Sequence, residues 1–296
     1  MSVKTFWKNS AANKLIIVFG LLWISLAVVF GIYDLEISKA LFNSSDVLAN
    51  LVQNFGEIPG ILFGLFAVFT LGTNLKLKNG KYSKTIFATE VLFSTGLFLY
   101  LTKILFEYFN VNFGFTSIYG ITLSLFFILL SLIFFYIFKS KFSKFQERHY
   151  NFAKLSVYLF VICGFIVEII KVFWGRIRYE NVVSGAANFT AWYIPQGITG
   201  GHSFPSGHAY LGWIVLPLIL LFLNWGKISK WASIILVGLF GFFISFERVV
   251  LGTHYASDVL FSAGFVIIIF LILYKKIFLI KKTSSTTKIK KIKKKK

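Results

Sequence analysis

Long runs of apolar residues, separated by short polar segments, form the dominant pattern along the chain. A helix needs about 17–25 apolar residues to cross the hydrocarbon layer of a bilayer, and eight runs come near this length. They cover residues 15–33, 58–75, 86–105, 117–138, 154–174, 209–224, 231–247 and 257–274. The pattern predicts an all-α fold, a polytopic membrane helix bundle with about eight transmembrane helices.

The composition agrees with a membrane protein. Of the 296 residues, 57% are hydrophobic and 14% are charged, whereas about a quarter of the residues in soluble domains are charged. The length suits a single helical bundle rather than two domains. The single cysteine, Cys163, lies in an apolar run, so an intramolecular disulfide and a cysteine-ligated zinc cluster are excluded.

The formal net charge of +20 raises the question of nucleic acid binding. The basic residues, however, lie mostly beside apolar runs, above all in the C-terminal segment 275–296. Basic residues next to a membrane helix usually mark the cytoplasmic side and contact anionic lipid head groups. We therefore expect membrane lipids, and not nucleic acid, as partners.

The basic residues also predict the orientation of the bundle. If the N-terminus lies in the cytoplasm, 25 Lys and Arg residues fall on the inner side and six on the outer side. The outer six are Lys39, Lys103, Lys171, Arg176, Arg178 and Arg248. We expect an integral protein of a bacterial cell membrane, and the positive-inside rule predicts that both of its termini are cytoplasmic.

Three of the outer cations occur together at the end of the fifth apolar run. Lys171, Arg176 and Arg178 lie within eight residues, and Arg178 follows Lys171 by seven positions, close to two helical turns. Their side chains face one way if the helix persists that far, although Gly175 favours fraying. Arginine suits phosphate because its planar guanidinium donates two parallel hydrogen bonds. The cluster indicates either an anion site or a positive anchor at the lipid head groups.

A second segment, residues 201–208, begins the sixth run with the sequence Gly-His-Ser-Phe-Pro-Ser-Gly-His. Pro205, Ser206 and Gly207 are typical of a helix start. The N-terminus of a helix offers unpaired N–H groups and a partial positive charge to an anion, and Gly207 permits a close approach to the backbone. We expect His208 at the rim of such an anion pocket; the alternative is a helix cap or a surface residue.

A third segment links the seventh and eighth runs and contains Arg248, His254 and Asp258. His254 and Asp258 are four positions apart, which places them on one face of a helix. A carboxylate that accepts a hydrogen bond from one ring nitrogen fixes the tautomer and leaves the other nitrogen nucleophilic. Arg248 supplies another fixed cation.

Together, the three segments resemble the type 2 phosphatidic acid phosphatases (the PAP2 family), relatives of the vanadium haloperoxidases and of glucose-6-phosphatase. The family pattern is Lys-x6-Arg-Pro, then Pro-Ser-Gly-His, then Ser-Arg-x5-His-x3-Asp. The matching residues are Lys171, Arg178, Pro205, Ser206, Gly207, His208, Arg248, His254 and Asp258. Tyr179 stands where the family has proline, and Glu247 stands where it often has serine.

The resemblance implies a domain organisation. The six-helix core of the family covers residues 86–275, residues 1–85 form an N-terminal segment with two extra transmembrane helices, and residues 276–296 form a basic cytoplasmic tail. Of the two departures, Tyr179 removes a backbone constraint but no charge. Glu247 puts a carboxylate beside Arg248, where it either weakens the anion site or orients the guanidinium.

The resemblance also implies a mechanism that needs no metal and no other cofactor. His254, aligned by Asp258, attacks phosphorus and forms a phosphohistidine, and His208 protonates the leaving alkoxide and then activates water. The residues implied in phosphate binding are Lys171, Arg178, Ser206, Gly207, Arg248 and, as an additional contact, Arg176. The expected function is an extracytoplasmic phosphatase that hydrolyses a phosphate monoester or diphosphate of a lipid. Phosphatidic acid, phosphatidylglycerophosphate and polyprenyl diphosphate are suitable substrates.

The sequence leaves a second function open. A non-catalytic transporter or scaffold also binds phosphate or lipid in a cationic pocket. Glu90 and Glu168, which lie within apolar runs, are the candidates for proton coupling in a transporter. Alternatively, they form helix–helix hydrogen bonds, or Glu168 pairs with Lys171. The two histidines and Asp258 favour catalysis, because anion binding alone needs no nucleophile.

Overall fold

The computed structural model describes residues 9–72, 83–111 and 118–280. Within these ranges the regular secondary structure is helical throughout, which confirms the predicted all-α fold. The α-helices are α1 (Asn9–Leu41), α2 (Val47–Phe55), α3 (Ile58–Leu71), α4 (Ser83–Tyr108), α5 (Ile118–Lys141), α6 (Ser143–Trp174), α7 (Tyr179–Val183), α8 (Gly207–Trp213), α9 (Ile219–Phe222), α10 (Lys227–Val250) and α11 (Ala256–Tyr274). A 3-10 turn (Leu216–Leu218) lies between α8 and α9, and a π-helical turn (Lys275–Ile280) follows α11.

Seven helical segments in the described ranges are long and apolar enough to cross a membrane. They are Ala12–Leu41, Val47–Leu71, Lys84–Tyr108, Ile118–Lys141, Ser143–Val183, Lys227–Val250 and Ala256–Leu279. The chain is therefore an integral membrane protein, as the hydropathy pattern predicted. The sixth predicted span, 209–224, corresponds to the segment Gly207–Phe222, which is equally long, is shorter than the seven spans above and is interrupted at the 3-10 turn. Pro217 explains the interruption, because proline cannot donate a helical hydrogen bond.

The first span is longer than predicted, and two short helices were not predicted. α1 continues to Leu41 instead of ending at residue 33, which places Asp34 inside the helix. α2 begins after Asp46, whose carboxylate accepts a hydrogen bond from the Ala49 N–H (2.8 Å) and caps the helix. α7 begins after Arg178. Helices of this length are too short to give a recognisable apolar run.

The centre of the bundle is formed by α3, which packs against α6, α4 and α8. Phenylalanine side chains take part in these contacts: Phe63 meets Phe152 of α6 edge-on (ring centroids 6.3 Å apart), and Phe69 lies 6.3 Å from Phe98 of α4. Such aromatic pairs contribute about 0.5–1.5 kcal/mol beyond the burial of their area. The N-terminal segment thus supplies the central helix, while the domain boundary between residues 85 and 86 stays a prediction.

α1 lies at the periphery of the bundle and packs against α11. Trp23 Nε1 donates to Leu260 O (3.1 Å), and the Trp23 ring meets Phe261 edge-on. Further along α1, Trp192 from the long loop after α7 donates to Ala27 O (2.9 Å). These contacts hold α1 and the loop against α11 and so position Asp34, about two turns beyond Ala27.

Successive long helices run antiparallel, so alternate helix ends meet at one end of the bundle. The C-terminal ends of α1, α4, α6 and α10 lie there beside the starts of α3, α8 and α11, and hydrogen bonds and ion pairs join them directly. The three predicted motif segments therefore share one end of the bundle. The basic residues predicted for the inner loop at 73–82 and for the tail from 281 onward lie outside the described residues.

Candidate active site

The first motif bends sharply where α6 ends. Gly175 adopts a φ of 62° and caps the helix, and a Cβ at this position would lie 2.0 Å from the Gly197 carbonyl oxygen. Glycine fits both the left-handed conformation and the close contact. The helix therefore stops before the two arginines, so Arg176 and Arg178 do not continue the helical face that carries Lys171.

Arg176 is fully buried between two carboxylates. Its Nη2 lies 2.9 Å from Asp34 Oδ2 on α1, and its Nη1 lies 2.5 Å from Asp258 Oδ1 on α11. Nε donates to Thr190 O (3.0 Å), and Nη1 also donates to Ser257 Oγ (2.8 Å). This environment contradicts the predicted phosphate contact of Arg176, because protein acceptors surround the guanidinium and none of it is exposed.

The ring of His254 is oriented by a backbone carbonyl. Its Nδ1 lies 2.6 Å from Ser203 O and 3.6 Å from Asp258 Oδ2. Since a carbonyl only accepts, Nδ1 carries the proton and donates it to Ser203 O. Asp258 acts indirectly: its Oδ2 accepts hydrogen bonds from Ser203 Oγ (2.5 Å) and from the Tyr255 N–H (2.9 Å). The expected direct bond from His254 to Asp258 is thus replaced by a relay through Ser203.

The second ring nitrogen of His254, Nε2, is left with its lone pair. The side chain is almost completely buried. Burial, reinforced by the positive charges of Arg248, Arg178 and Lys171, holds the pKa of His254 well below its usual range. The neutral imidazole is therefore the stable form at pH 7, which is the state that a nucleophile requires.

His208 lies in the first turn of α8, and its side chain is 19% exposed. Its Nδ1 lies 2.8 Å from Glu57 Oε1, and its Nε2 lies 3.0 Å from Gln53 O. Gln53 lies in α2 and Glu57 directly precedes α3, so both partners lie outside the three predicted motifs. His208 is also close enough to His254 for its charge to lower the pKa of that residue.

Lys171 and Arg178 have partners that a ligand can displace. Lys171 Nζ lies 3.1 Å from Glu168 Oε1, and Arg178 Nη1 lies 3.3 Å from Glu180 Oε1. In both pairs the carboxylate is open to solvent, and ion pairs screened by water contribute about 0–1 kcal/mol, so an anion replaces them at little cost. Lys171 also borders the start of α8, since a Cβ on Gly207 would lie 3.2 Å from its Nζ.

Arg248 is nearly buried, and part of its guanidinium is unpaired. Its Nη1 donates to Gln53 Oε1 (3.4 Å), whereas its buried Nε finds no hydrogen-bond partner among the described residues. A buried N–H without an acceptor costs about 1–3 kcal/mol, and a bound anion removes this cost. Glu247 is also buried, but within the described part of the chain it forms no ion pair with Arg248.

The second motif starts α8 as its sequence predicted. Ser206 is the N-cap residue and its Oγ accepts from the Ala209 N–H (3.3 Å), while Gly207 is the first helical residue. The Ser206 N–H donates to Asp258 O (3.3 Å), and Ser206 O accepts from Ser262 Oγ (2.8 Å). These bonds tie the start of α8 to the start of α11 and so bring the second and third motifs together.

Tyr179, at the position of the family's proline, is accommodated by packing. The side chain is buried, and its ring meets Phe42 edge-on (ring centroids 5.4 Å apart) and Tyr255 (6.1 Å). Packing against two rings restrains the backbone here in place of the proline ring.

The three motifs form one cluster of cations around two histidines, all within electrostatic reach of His254. Residues 152–281 match the family model of the PAP2 superfamily. This part of the chain is similar to the PAP2 superfamily. The PAP2 match contains all three motifs. It begins at residue 152, within α6, whereas the predicted six-helix core begins at residue 86. The match indicates a phosphatase that acts on lipid-like phosphate esters. No similar protein was found among curated proteins or among solved structures.

Sequence reasoning missed several polar residues that contact the predicted site residues. Among them are Asp34, Gln53, Glu57 and Ser203. The first three lie outside the PAP2 match, and Ser203 lies inside the second motif segment. A signal was available for Asp34 and Glu57, because a carboxylate near the end of a membrane helix is costly without a partner.

Proposed function

We propose that this protein is a metal-independent membrane phosphatase that hydrolyses a phosphate monoester or diphosphate of a lipid through a phosphohistidine. The observation that carries the proposal is the state of His254. Its imidazole is buried and neutral, and its Nδ1–H is held by Ser203 O, so the Nε2 lone pair is available for attack. Phosphate binding without catalysis does not require such a nucleophile.

In the proposed complex, Lys171, Arg178 and Arg248 bind the phosphoryl oxygens. The unpaired Arg248 Nε supports this role, since it is a buried donor in need of an acceptor. The Ser206 hydroxyl and the Gly207 N–H at the start of α8 add two further donors. Fixed cations of this kind balance the charge of the transition state, as metal ions do in other phosphoryl-transfer sites.

The first chemical step forms the phosphoenzyme. The Nε2 lone pair of His254 attacks phosphorus while the bond from phosphorus to the ester oxygen breaks. His208 gives a proton to that leaving oxygen, so an alcohol departs. His254 Nδ1 keeps its proton and its bond to Ser203 O, which stabilises the positive charge that develops on the ring. Asp258 supports this geometry by holding the Ser203 hydroxyl.

The second step regenerates the enzyme. His208, now neutral, accepts a proton from a water molecule, and the resulting oxygen nucleophile attacks phosphorus. The bond between phosphorus and His254 Nε2 breaks, inorganic phosphate leaves, and both histidines return to their starting protonation states.

Lipid substrates fit the position of the site at the ends of membrane-spanning helices. Two residues after Glu57, Pro59 begins the lining of an apolar groove of about 470 Å³ between α3 and α10. Leu62, Phe63 and Phe240 continue this lining, which suits an acyl or prenyl chain. We propose phosphatidic acid, phosphatidylglycerophosphate or polyprenyl diphosphate as the substrate, with its phosphate among the cations and its chain in the bilayer.

The proposal puts the site on the extracytoplasmic face and both termini in the cytoplasm. Its support is the distribution of charge, with 25 basic residues assigned to one side and six to the other. The minority side is the one that carries the motif cations, consistent with the positive-inside rule.

Release of inorganic phosphate from a panel of lipid phosphates tests the function. Wild-type protein in excess EDTA is expected to hydrolyse at least one lipid, and His254→Ala and His208→Ala are expected to lose this activity. The exposed His202, substituted by alanine, is the matched control and is expected to retain it. Radiolabelled substrate should leave acid-labile phosphohistidine on wild-type protein. Full activity in His254→Ala contradicts the nucleophile assignment, and loss of activity in EDTA contradicts the absence of a metal.

The same panel separates catalysis from the alternative, a non-catalytic transporter or scaffold. Lipid binding without phosphate release from any substrate would support that alternative. Of the two carboxylates considered for proton coupling, Glu168 is paired with Lys171, which favours the catalytic proposal.

A further inference from the structure

Two hydrogen-bond acceptors beside His208 come from a part of the chain outside the PAP2 match. Glu57 lies between α2 and α3, is nearly buried, and approaches His208 Nδ1 through Oε1 (2.8 Å). Its other oxygen, Oε2, accepts a hydrogen bond from the Tyr100 hydroxyl on α4 (2.6 Å). The carboxylate is therefore held at both oxygens and has little freedom to leave the imidazole.

The second acceptor determines the protonation state that fits this geometry. His208 Nε2 lies 3.0 Å from Gln53 O, and a carbonyl oxygen only accepts, so Nε2 must carry a proton. A carboxylate likewise accepts, so Nδ1 carries a proton as well. Both ring nitrogens are then donors, and His208 is an imidazolium.

The positive charge of a protonated His208 needs a nearby negative charge, because other cations surround it. Lys171 lies beside the start of α8, and Arg248 is joined to the same α2 segment through Gln53. A further cation among these groups is repelled by them, and a carboxylate 2.8 Å away offsets that repulsion. Glu57 is the carboxylate in this position.

We propose, on the basis of the function above, that Glu57 is a positioning residue that keeps His208 as the imidazolium from which the leaving oxygen takes its proton. When substrate is bound, the Nε2 proton leaves its hydrogen bond to Gln53 O and passes to the ester oxygen as the bond from that oxygen to phosphorus breaks, while the Nδ1 proton stays in the bond to Glu57. In the second step Nε2 takes a proton from water, which restores the imidazolium. Helices α2 and α3 thus complete a catalytic site whose three motifs lie entirely within the PAP2 match.

Dependence on the leaving group tests this role. An alkyl alcohol needs a proton in order to depart, whereas 4-nitrophenolate departs readily without one. We expect Glu57→Gln to lower kcat/KM for octyl phosphate by about 10- to 100-fold and to change kcat/KM for 4-nitrophenyl phosphate much less. The ratio of kcat/KM for octyl phosphate to kcat/KM for 4-nitrophenyl phosphate is independent of the folded fraction, because both substrates are measured on the same preparation.

Two variants sharpen the comparison. Glu57→Asp keeps the charge and is expected to recover part of the octyl phosphate activity. Glu90→Gln removes another buried carboxylate, on α4 and away from the site, and is expected to leave the ratio at its wild-type value. An unchanged ratio in Glu57→Gln, or a ratio lowered equally in Glu90→Gln, overturns the proposal.

A double-mutant cycle establishes whether Glu57 acts through His208. Because His208→Ala abolishes turnover, the cycle compares the residual single-turnover cleavage of octyl phosphate at excess enzyme. In this background, Glu57→Gln is expected to slow the cleavage no further, because the group that it positions has been removed. A further drop of similar size means that Glu57 acts elsewhere. Wild-type protein that releases no phosphate from any substrate overturns the proposed function and this role with it. Active wild-type protein with an unchanged ratio in Glu57→Gln overturns the role of Glu57 alone.

Discussion

Substitution of Asp34 by alanine tests how the N-terminal helix is coupled to the site. Asp34 is fully buried on α1. It pairs with Arg176 Nη2 (2.9 Å) and accepts a hydrogen bond from the Ser257 N–H at the start of α11 (2.9 Å). Alanine removes one of the two carboxylates that balance the Arg176 charge, and it leaves the Ser257 N–H without this acceptor.

The size of the effect follows from burial. Removal of one partner from a buried ion pair costs about 3–5 kcal/mol, because the other charge stays buried. Arg176 retains Asp258 (2.5 Å), which reduces this cost, whereas the unsatisfied Ser257 N–H adds about 1–3 kcal/mol. We expect a total loss of about 4 kcal/mol. At roughly 2–4 °C per kcal/mol for a chain of this size, Tm falls by on the order of 10 °C.

Thermal unfolding of the purified protein in detergent, followed by tryptophan fluorescence, measures this loss. Glu36→Ala is the matched control, since Glu36 is an exposed carboxylate on the same helix; its effect is expected to stay within about 0.5 kcal/mol. Asp34→Asn retains the volume and an acceptor for the Ser257 N–H but not the charge, so an intermediate Tm is expected.

The activity of folded Asp34→Ala protein gives a second readout. Arg176 and Asp258 share one network with the Ser203 hydroxyl, so a shift of Arg176 disturbs the carbonyl that orients His254. We expect a lower kcat/KM for lipid phosphate below the unfolding temperature. An Asp34→Ala protein with the Tm of Glu36→Ala would refute the reasoning, because it would show that the buried carboxylate contributes nothing to the attachment of α1.

Two further predictions concern the nucleophile and the end of α6. Because its pKa lies well below the ordinary value, about 6.5, His254 stays neutral as the pH falls through that value and is protonated only at lower pH. As the pH is lowered, kcat/KM, corrected for ionisation of the substrate, is therefore expected to fall only below pH 6.5. A fall that begins above pH 6.5 on acidification contradicts the assignment. Gly175→Ala is expected to lower both Tm and activity, because its Cβ would lie 2.0 Å from Gly197 O. Gly185→Ala is the control: it has a similar φ (75°) but no atom within 4 Å of the added Cβ, so it should show the backbone strain alone, about 1–2 kcal/mol.

The sequence was sufficient for the features that depend on neighbouring residues. Apolar length predicted the membrane spans, and the spacing within each motif predicted the helix start at Gly207 and the basic end of α6. The sixth span was predicted as a continuous helix although Pro217 divides it, because its hydropathy does not fall at the proline. Lys171 and Arg178 were predicted to share a helical face only if the helix continued as far as Arg178. Gly175 ends the helix before that residue.

The contacts that define the state of each histidine depended on the tertiary structure. Ser203 and His254 are 51 positions apart, and Asp34 and Arg176 are 142 apart. No periodicity or motif spacing encodes such pairs, since they exist because antiparallel helices bring distant ends together. For the same reason Arg176 was mistaken for a phosphate ligand: its sequence neighbours are cations, but its spatial neighbours are two buried carboxylates. The sequence alone thus determined which chemical groups are present and at which helix ends they lie, and the packing of the helices decided which of those groups meet and which remain available to a ligand.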